Sequence, residues 1–308
     1  MPSFDSFVQT RVSLAVPRHF SFWRTVYSHG WCTLPPFSVS KDRHVFMCLL
    51  RLNDGALVHC TARVSKRGID VDIRSRDVLT PTQRAEIRRQ IRTCFRLDED
   101  LSAFHAEVRK HRSYAWITRS GSGRLLRAPT VFEDIVKMLC TTNCTWALTE
   151  VMVGNLVSRL GEAFADGMRA FPTPAALAGA SEAFLRKEIR SGYRSPYLVE
   201  FAERVASGEV DIESWRSSPL ATADLFNEVR SIKGMGPYAT GNLLRLLGRY
   251  DYLALDSWVR SQFAEVHHNG RRVSDRTIER RYEQFGEWKG LFFWFEMTKH
   301  WLNDKFPF

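Results

Sequence analysis

The spacing of apolar residues changes period along this chain, and that change limits its fold more tightly than any other feature. In the first third, residues 44–52, 56–64 and 68–74 are short β-branched or alternating runs. Asn53-Asp54-Gly55 and Ser65-Lys66-Arg67-Gly68 separate them, a pattern that predicts an antiparallel meander. A helix is expected next, with Thr80 as N-cap, Pro81 at the first helical position and Gln83 completing a capping box. Ile87, Ile91, Cys94 and Phe95 make one apolar stripe of that helix, and Arg84, Arg88, Arg89 and Arg92 its solvated face. The polar stretch from Arg119 to Arg124 reads as a connection, after which the period stays helical. Thr130 and Glu133 suggest a second capping box, and 146–160, 175–190, 196–207, 221–231 and 237–247 are further helices. The fold class is therefore α+β: a β-rich N-terminal domain over residues 1–118 and an all-helical domain over 119–308.

A length of 308 residues suits two domains. Lys and Arg number 44 against 34 Asp and Glu, a net charge of +10, which points to an anionic partner, either nucleic acid or a membrane surface. No window approaches the ~18–20 apolar residues of a membrane span. The N-terminus lacks the pattern of a secretory signal. An intracellular protein is expected: cytoplasm or nucleoid, or nucleus or organelle in a eukaryote. Cys32, Cys48, Cys60, Cys94, Cys140 and Cys144 have no zinc spacing, and none lies far enough along the chain for a C-terminal iron–sulfur cluster. They read as buried, reduced thiols.

Chemistry concentrates between residues 225 and 263. In Ile232-Lys233-Gly234-Met235-Gly236-Pro237-Tyr238, two glycines let the chain reverse between helices, and Pro237 pre-sets the first turn of the second. The N–H groups and dipole of that helix start favour a phosphate, with the Lys233 charge beside them. Alone, the segment reads as an ordinary helical hairpin. Asp256 follows 18 residues after Tyr238, between an apolar run and a helical one, and alone reads as an N-cap.

Together, a helix–Gly-x-Gly–helix unit and a single Asp at the next helix start resemble the helix–hairpin–helix DNA glycosylase superfamily. The resemblance runs from about Leu125 to Trp301, in the order of the two-domain members that act on 8-oxoguanine or 3-methyladenine. It implies a TBP-like antiparallel sheet domain at the N-terminus and a duplex DNA partner carrying a damaged base. It assigns DNA backbone to Lys233, Gly234, Met235 and Gly236, and the glycosidic bond to Asp256. Cys140-Thr141-Thr142-Asn143 matches a small polar run whose Asn fills the hole left by an extruded base. Gly192-Tyr193-Arg194 matches a turn whose Tyr wedges beside the orphaned base while its Arg hydrogen-bonds to it. In the C-terminal aromatic run, Trp294 corresponds to the ring on which the base stacks and Gly290 to the place of a Gln that reads the base edge.

Bifunctional members carry a Schiff-base Lys where this chain has Tyr238, and Lys233 lies five residues too early to replace it. The resemblance therefore implies a monofunctional glycosylase without lyase activity. Tyr238 and the aromatic pocket lean towards alkylated purines, through cation–π attraction, whereas Asn143 and the Gly-Tyr-Arg turn lean towards 8-oxoguanine. An inactive DNA-binding protein and a membrane-surface protein are the other readings. Arg109, Lys110, His111, Arg112, Arg271, Arg272, Arg280 and Arg281 are expected on a salt-sensitive DNA face. No cofactor is expected for the chemistry. A monovalent ion, Na+ or K+, is implied on the carbonyls of Arg230, Ile232 and Met235, and relatives usually act as monomers.

Overall fold

Alternating sequence becomes strand in the N-terminal third of the computed structural model, which describes residues 7–165 and 167–301. Strands β1 (Val8–Leu14), β2 (Phe37–Ser40), β3 (Val45–Arg51), β4 (Leu57–Ser65) and β5 (Gly68–Ser75) form one antiparallel sheet in the order β1-β5-β4-β3-β2. The expected meander is its centre, β3 to β5. The two outer strands escaped the sequence pattern: β2 has only four residues, and β1 buries only Val12 and Leu14.

Helices α1 (Phe22–Val26), α2 (Pro81–Phe95), α3 (Ser102–Lys110) and α4 (Ala115–Arg119) accompany the sheet. The capping box of α2 is complete, with Thr80 and Gln83 each satisfying the other's backbone N–H. Its stripe of Ile87, Ile91, Cys94 and Phe95 is fully buried, and Phe95 meets Phe46 of β3 with ring centroids 5.5 Å apart. Each large apolar side chain buried in this way contributes ~1.5–3 kcal/mol. On the opposite face Arg84, Arg89 and Arg92 are spent locally, on the Leu79 carbonyl, Glu86 and Asp98.

The connection after α4 is not a surface linker, contrary to its polar composition. Arg124 is buried, and its guanidinium donates to the carbonyls of Arg96, His19 and Glu99, so its own donors are satisfied inside the protein.

The helical part consists of α5 (Val131–Thr141), α6 (Trp146–Leu160), α7 (Pro174–Ala178), α8 (Glu182–Phe184), α9 (Ser195–Ala206), α10 (Thr222–Arg230), α11 (Pro237–Leu247), α12 (Ser257–His268), α13 (Asp275–Tyr282) and α14 (Lys289–His300). The single helix expected over 175–190 is broken. Gly179 ends α7, Ser181 caps α8, and a π-helical turn covers Leu185–Ile189. Thr130 caps α5 by accepting the Glu133 N–H, but the reciprocal half of the expected box is missing. The Glu133 carboxylate instead turns inward and pairs with Lys137 at 2.6 Å.

One continuous core joins the sheet layer to the helices, from Val12 and Phe46 through Phe95 and Phe104 to Phe292 and Met297. The six cysteines are free thiols, five of them buried and Cys144 half-buried. Among the described residues no helix is long and apolar enough to cross a membrane.

Candidate active site and the loops around it

The hairpin between α10 and α11 is pinned by two buried apolar side chains, Ile232 and Met235. Between them Gly234 has φ +89°, and a Cβ there would meet Tyr197 and Leu139 at 2.8 and 2.9 Å, so only glycine closes this turn. Gly236 is the N-cap of α11 and faces open space, with no side chain capping the helix start. First-turn N–H groups are thus left for an external acceptor. Lys233 is exposed but already paired with Glu200 at 2.6 Å. The Ile232 carbonyl accepts the Met235 N–H at 3.1 Å, and the Met235 carbonyl faces the Thr240 hydroxyl at 3.4 Å.

The contact of Gly234 with Leu139 and Tyr197 brings three expected features to one side of the molecule. Leu139 lies near the end of α5, which runs into the Asn143 loop, and Tyr197 lies in the first turn of α9, just after the Gly192–Arg194 turn. Asn143 is exposed with φ +46° and donates to the Tyr193 hydroxyl at 3.2 Å. Tyr193 is 44% exposed, an unusual position for so large a ring. Arg194 is buried instead: it donates to the Thr142 hydroxyl at 3.2 Å and to the Thr142 carbonyl, and lies against the Tyr193 ring. The guanidinium expected to meet an orphaned base is engaged in tying the two loops together.

Asp256 is the N-cap of α12. One carboxylate oxygen accepts the Val259 N–H at 2.7 Å while the side chain stays half-buried. The Tyr238 phenol, on the first turn of α11, lies near the same carboxylate and feels its charge. Burial first, and then the Asp256 charge, push the Tyr238 pKa well above its ordinary value, so the phenol stays a protonated donor. The cap bond fixes the carboxylate in place, and its half-exposure leaves it reachable.

Trp294 on α14 donates its indole N–H to the Ser28 carbonyl at 3.0 Å, which fixes its ring against the N-terminal segment. Trp258 and Trp301 lie 6.5 and 6.0 Å from it between ring centroids. Gly290 must be corrected. A Cβ there would come within 2.6 Å of the carbonyls of both Tyr250 and Tyr252, and its own N–H bonds the former at 2.6 Å. It is the close approach between α14 and that backbone, with no room for a base-reading side chain.

Two residues were missed. Arg245 is only 3% exposed, and its guanidinium lies 4.5 Å over the Trp294 ring, with Nε and Nη2 lacking hydrogen-bond partners. Burial lowers its pKa to about 10, and Tyr238, Asp256 and Tyr250 are close enough to favour its charge. The signal in the sequence was a lone cation inside Leu243-Leu244-Arg245-Leu246-Leu247. The second is His29, whose Nε2 faces the Leu126 carbonyl at 2.5 Å; desolvation, with Arg245 among the nearby cations, lowers its pKa to about 3. The segment preceding the sheet centre thus lines the site together with helices from the far end of the chain.

Of the expected basic face, Arg109, Lys110, Arg112, Arg271, Arg272, Arg280 and Arg281 are exposed. Lys110 and His111 both lean on Glu107, and Arg281 on Glu296. No cluster of three or more His, Cys, Asp or Glu residues suited to a metal ion occurs among the described residues.

This arrangement of a sheet layer, an all-helical layer, a Gly-x-Gly hairpin and an Asp at the following helix start is the two-domain fold of the helix–hairpin–helix DNA glycosylases, a superfamily that the chain resembles along almost its whole length. No family profile matches the chain. A probable N-glycosylase/DNA lyase from Methanothermobacter thermautotrophicus is 24% identical over 247 residues, 71% of this chain and 77% of that protein. The 3-methyladenine DNA glycosylase from Archaeoglobus fulgidus superposes with a TM-score of 0.72 at 18% identity, covering 96% of this chain and 99% of that one. The 8-oxoguanine glycosylase/lyase from Clostridium acetobutylicum, in its apo form, gives 0.68 at 18% identity and the same coverage.

Proposed function

We propose that the protein is a DNA N-glycosylase that extrudes a damaged purine from duplex DNA and hydrolyses its N-glycosidic bond, leaving an intact abasic site. The observation that carries this reading is the Tyr238–Asp256 pair, which joins the hairpin to a half-exposed carboxylate held by its own helix cap. Flipping a nucleotide costs a few kcal/mol in lost stacking and pairing. Asn143 and Tyr193, exposed and bonded to one another beside the hairpin, are suited to fill the gap and offset part of that cost. The uncapped start of α11 and Lys233 would hold the backbone, phosphate displacing Glu200 from the lysine.

Bond cleavage passes through an oxocarbenium-like sugar. The Asp256 carboxylate stabilises that positive charge and accepts the proton of the attacking water. Tyr238 lies beside the carboxylate and cannot form an imine, which supports hydrolysis without strand cleavage. The aromatic group of Trp258, Trp294 and Trp301 supports an alkylated purine as substrate. The Asn143–Tyr193 pair supports a second reading, 8-oxoguanine. The hairpin carbonyls of Arg230, Ile232 and Met235 would seat Na+ or K+, since the bonds at Ile232 and Met235 leave each carbonyl a free lone pair. Such an ion would shape the hairpin and take no part in the bond cleavage.

Base release from duplexes carrying alkylated purines, 8-oxoguanine, hypoxanthine or uracil, each with and without alkali, tests the reading. Base release with strand breakage only after alkali is expected. Breakage without alkali would show a lyase, and tight binding without release from any duplex would leave a DNA-binding protein.

A further inference from the structure

Arg245 is an expensive residue to place where it lies. A guanidinium desolvated to this degree ordinarily has every donor bonded to a carboxylate or carbonyl, yet Nε and Nη2 have no partner. These two atoms lie side by side on one edge of the planar group, the fork that binds two adjacent acceptors. The guanidinium covers the Trp294 ring at 4.5 Å and lies close to both Tyr238 and Asp256. The unfilled fork therefore lies closed to solvent beside Trp294, Tyr238 and Asp256, with no protein acceptor supplied, and a base reaches it only as its neighbours part.

We infer that Arg245 is a specificity-determining and catalytic residue whose fork binds the edge of the extruded base, selecting neutral purines with two adjacent acceptors and rejecting cationic alkylated ones. The inference rests on the glycosylase reading and departs from both substrates weighed above, since an N-alkylated purine is cationic and 8-oxoguanine carries a proton on N7. The O6 and N7 atoms of a 6-oxopurine form such an acceptor pair. A purine alkylated at N7 has lost one acceptor and brings a positive charge against a buried guanidinium. Arg245 remains charged at neutral pH, its pKa being lowered only to about 10.

The same contact answers a chemical need. When the C1′–N9 bond breaks, its electron pair goes to the purine, while water adds to C1′ and gives its proton to Asp256. A neutral purine leaves as an anion, which the Arg245 fork stabilises until solvent protonates it. A cationic purine leaves as a neutral ring and gains nothing from a buried cation. Hypoxanthine opposite thymine is a suitable probe, because a mismatched base is also cheaper to extrude.

The test compares single-turnover release of hypoxanthine, 8-oxoguanine (whose N7 carries a proton) and 7-methylguanine by the full chain and by Arg245→Met and Arg245→Lys. Wild type is expected to release hypoxanthine fastest and 7-methylguanine slowest. Arg245→Met should slow hypoxanthine release by about 100-fold, the usual loss for a transition-state donor, and leave 7-methylguanine release unchanged or faster. Its melting temperature should rise, because an unpartnered buried charge has gone. Arg245→Lys keeps the charge without the fork, so it should lose hypoxanthine release and still reject 7-methylguanine. Faster release of 7-methylguanine by wild type, or an equal loss on all three bases with a lower melting temperature in Arg245→Met, would overturn the inference and leave the glycosylase reading intact. Absence of release from every duplex by wild type would overturn both.

Discussion

The Tyr238 phenol lies beside the Asp256 carboxylate, close enough to feel its charge, and so brings the first turn of α11 to the cap of α12 across 18 residues of sequence. The phenol is held protonated by burial and by that carboxylate, so it stays a donor available to Asp256 over the ordinary pH range. Losing one such donor to a charged group costs about 1.5–3 kcal/mol. Tyr238→Phe should therefore slow base release by roughly 10–100-fold without altering duplex affinity. Tyr238→Lys places an amine beside Asp256 at the hairpin, and should gain alkali-independent strand cleavage trapped by borohydride. Gel assays of both variants decide the point; unchanged rates in the phenylalanine variant would remove Tyr238 from the mechanism.

The Asn143–Tyr193 bond predicts a dependence on base pairing. Asn143→Ala should lower release from a well-paired lesion about tenfold and release from a mismatched one much less, since the few kcal/mol of extrusion are already reduced there. Equal losses on both duplexes, measured in single turnover, would contradict a gap-filling role.

The sheet centre, the α2 capping box and most helices were legible because each is a local pattern: alternation, an N-cap or a stripe. Asp256 and the hairpin were legible for the same reason. Arg245 and His29 were not, because what makes them unusual is lack of a partner and proximity to residues far along the chain. Gly290 misled since a glycine beside an aromatic stripe has the same sequence signature whether it opens a pocket or, as here, admits two backbone carbonyls. The Arg119–Arg124 stretch was legible as a connection, but not the burial of Arg124, whose bonds run to residues far along the chain.

His29 gives a pH prediction. Its pKa is lowered to about 3 in the folded chain from 6.5, so below pH 6.5 the unfolded chain binds a proton that the folded one does not. Stability from this group is full above pH 6.5 and falls by about 1.4 kcal/mol per pH unit down to about pH 3. His29→Gln keeps a donor for the Leu126 carbonyl and removes the titration. Urea unfolding should show the variant gaining on wild type by that amount per unit between pH 6 and 4, and a pH-independent difference would contradict it. His105, lowered to about 4, leaves part of the acid slope in both proteins.

Lys137 and Glu133 form a fully buried pair at 2.6 Å, with the ammonium also 4.4 Å from the Phe37 ring. Lys137→Met leaves a buried carboxylate unpaired and should cost about 3–5 kcal/mol. The double variant Lys137→Met/Glu133→Leu should recover most of that loss, as read from denaturant midpoints. A single variant as stable as wild type would show that Glu133 finds another partner or a proton at little cost.

Asp256 is the residue proposed to break the glycosidic bond, and the most direct test is Asp256→Asn on a lesion that wild type processes. The amide oxygen still caps α12, so folding and duplex binding should survive while single-turnover base release falls by at least ~10³-fold, as expected for a group acting on the transition state. Release within a few-fold of wild type by a folded, DNA-binding Asp256→Asn would contradict the account.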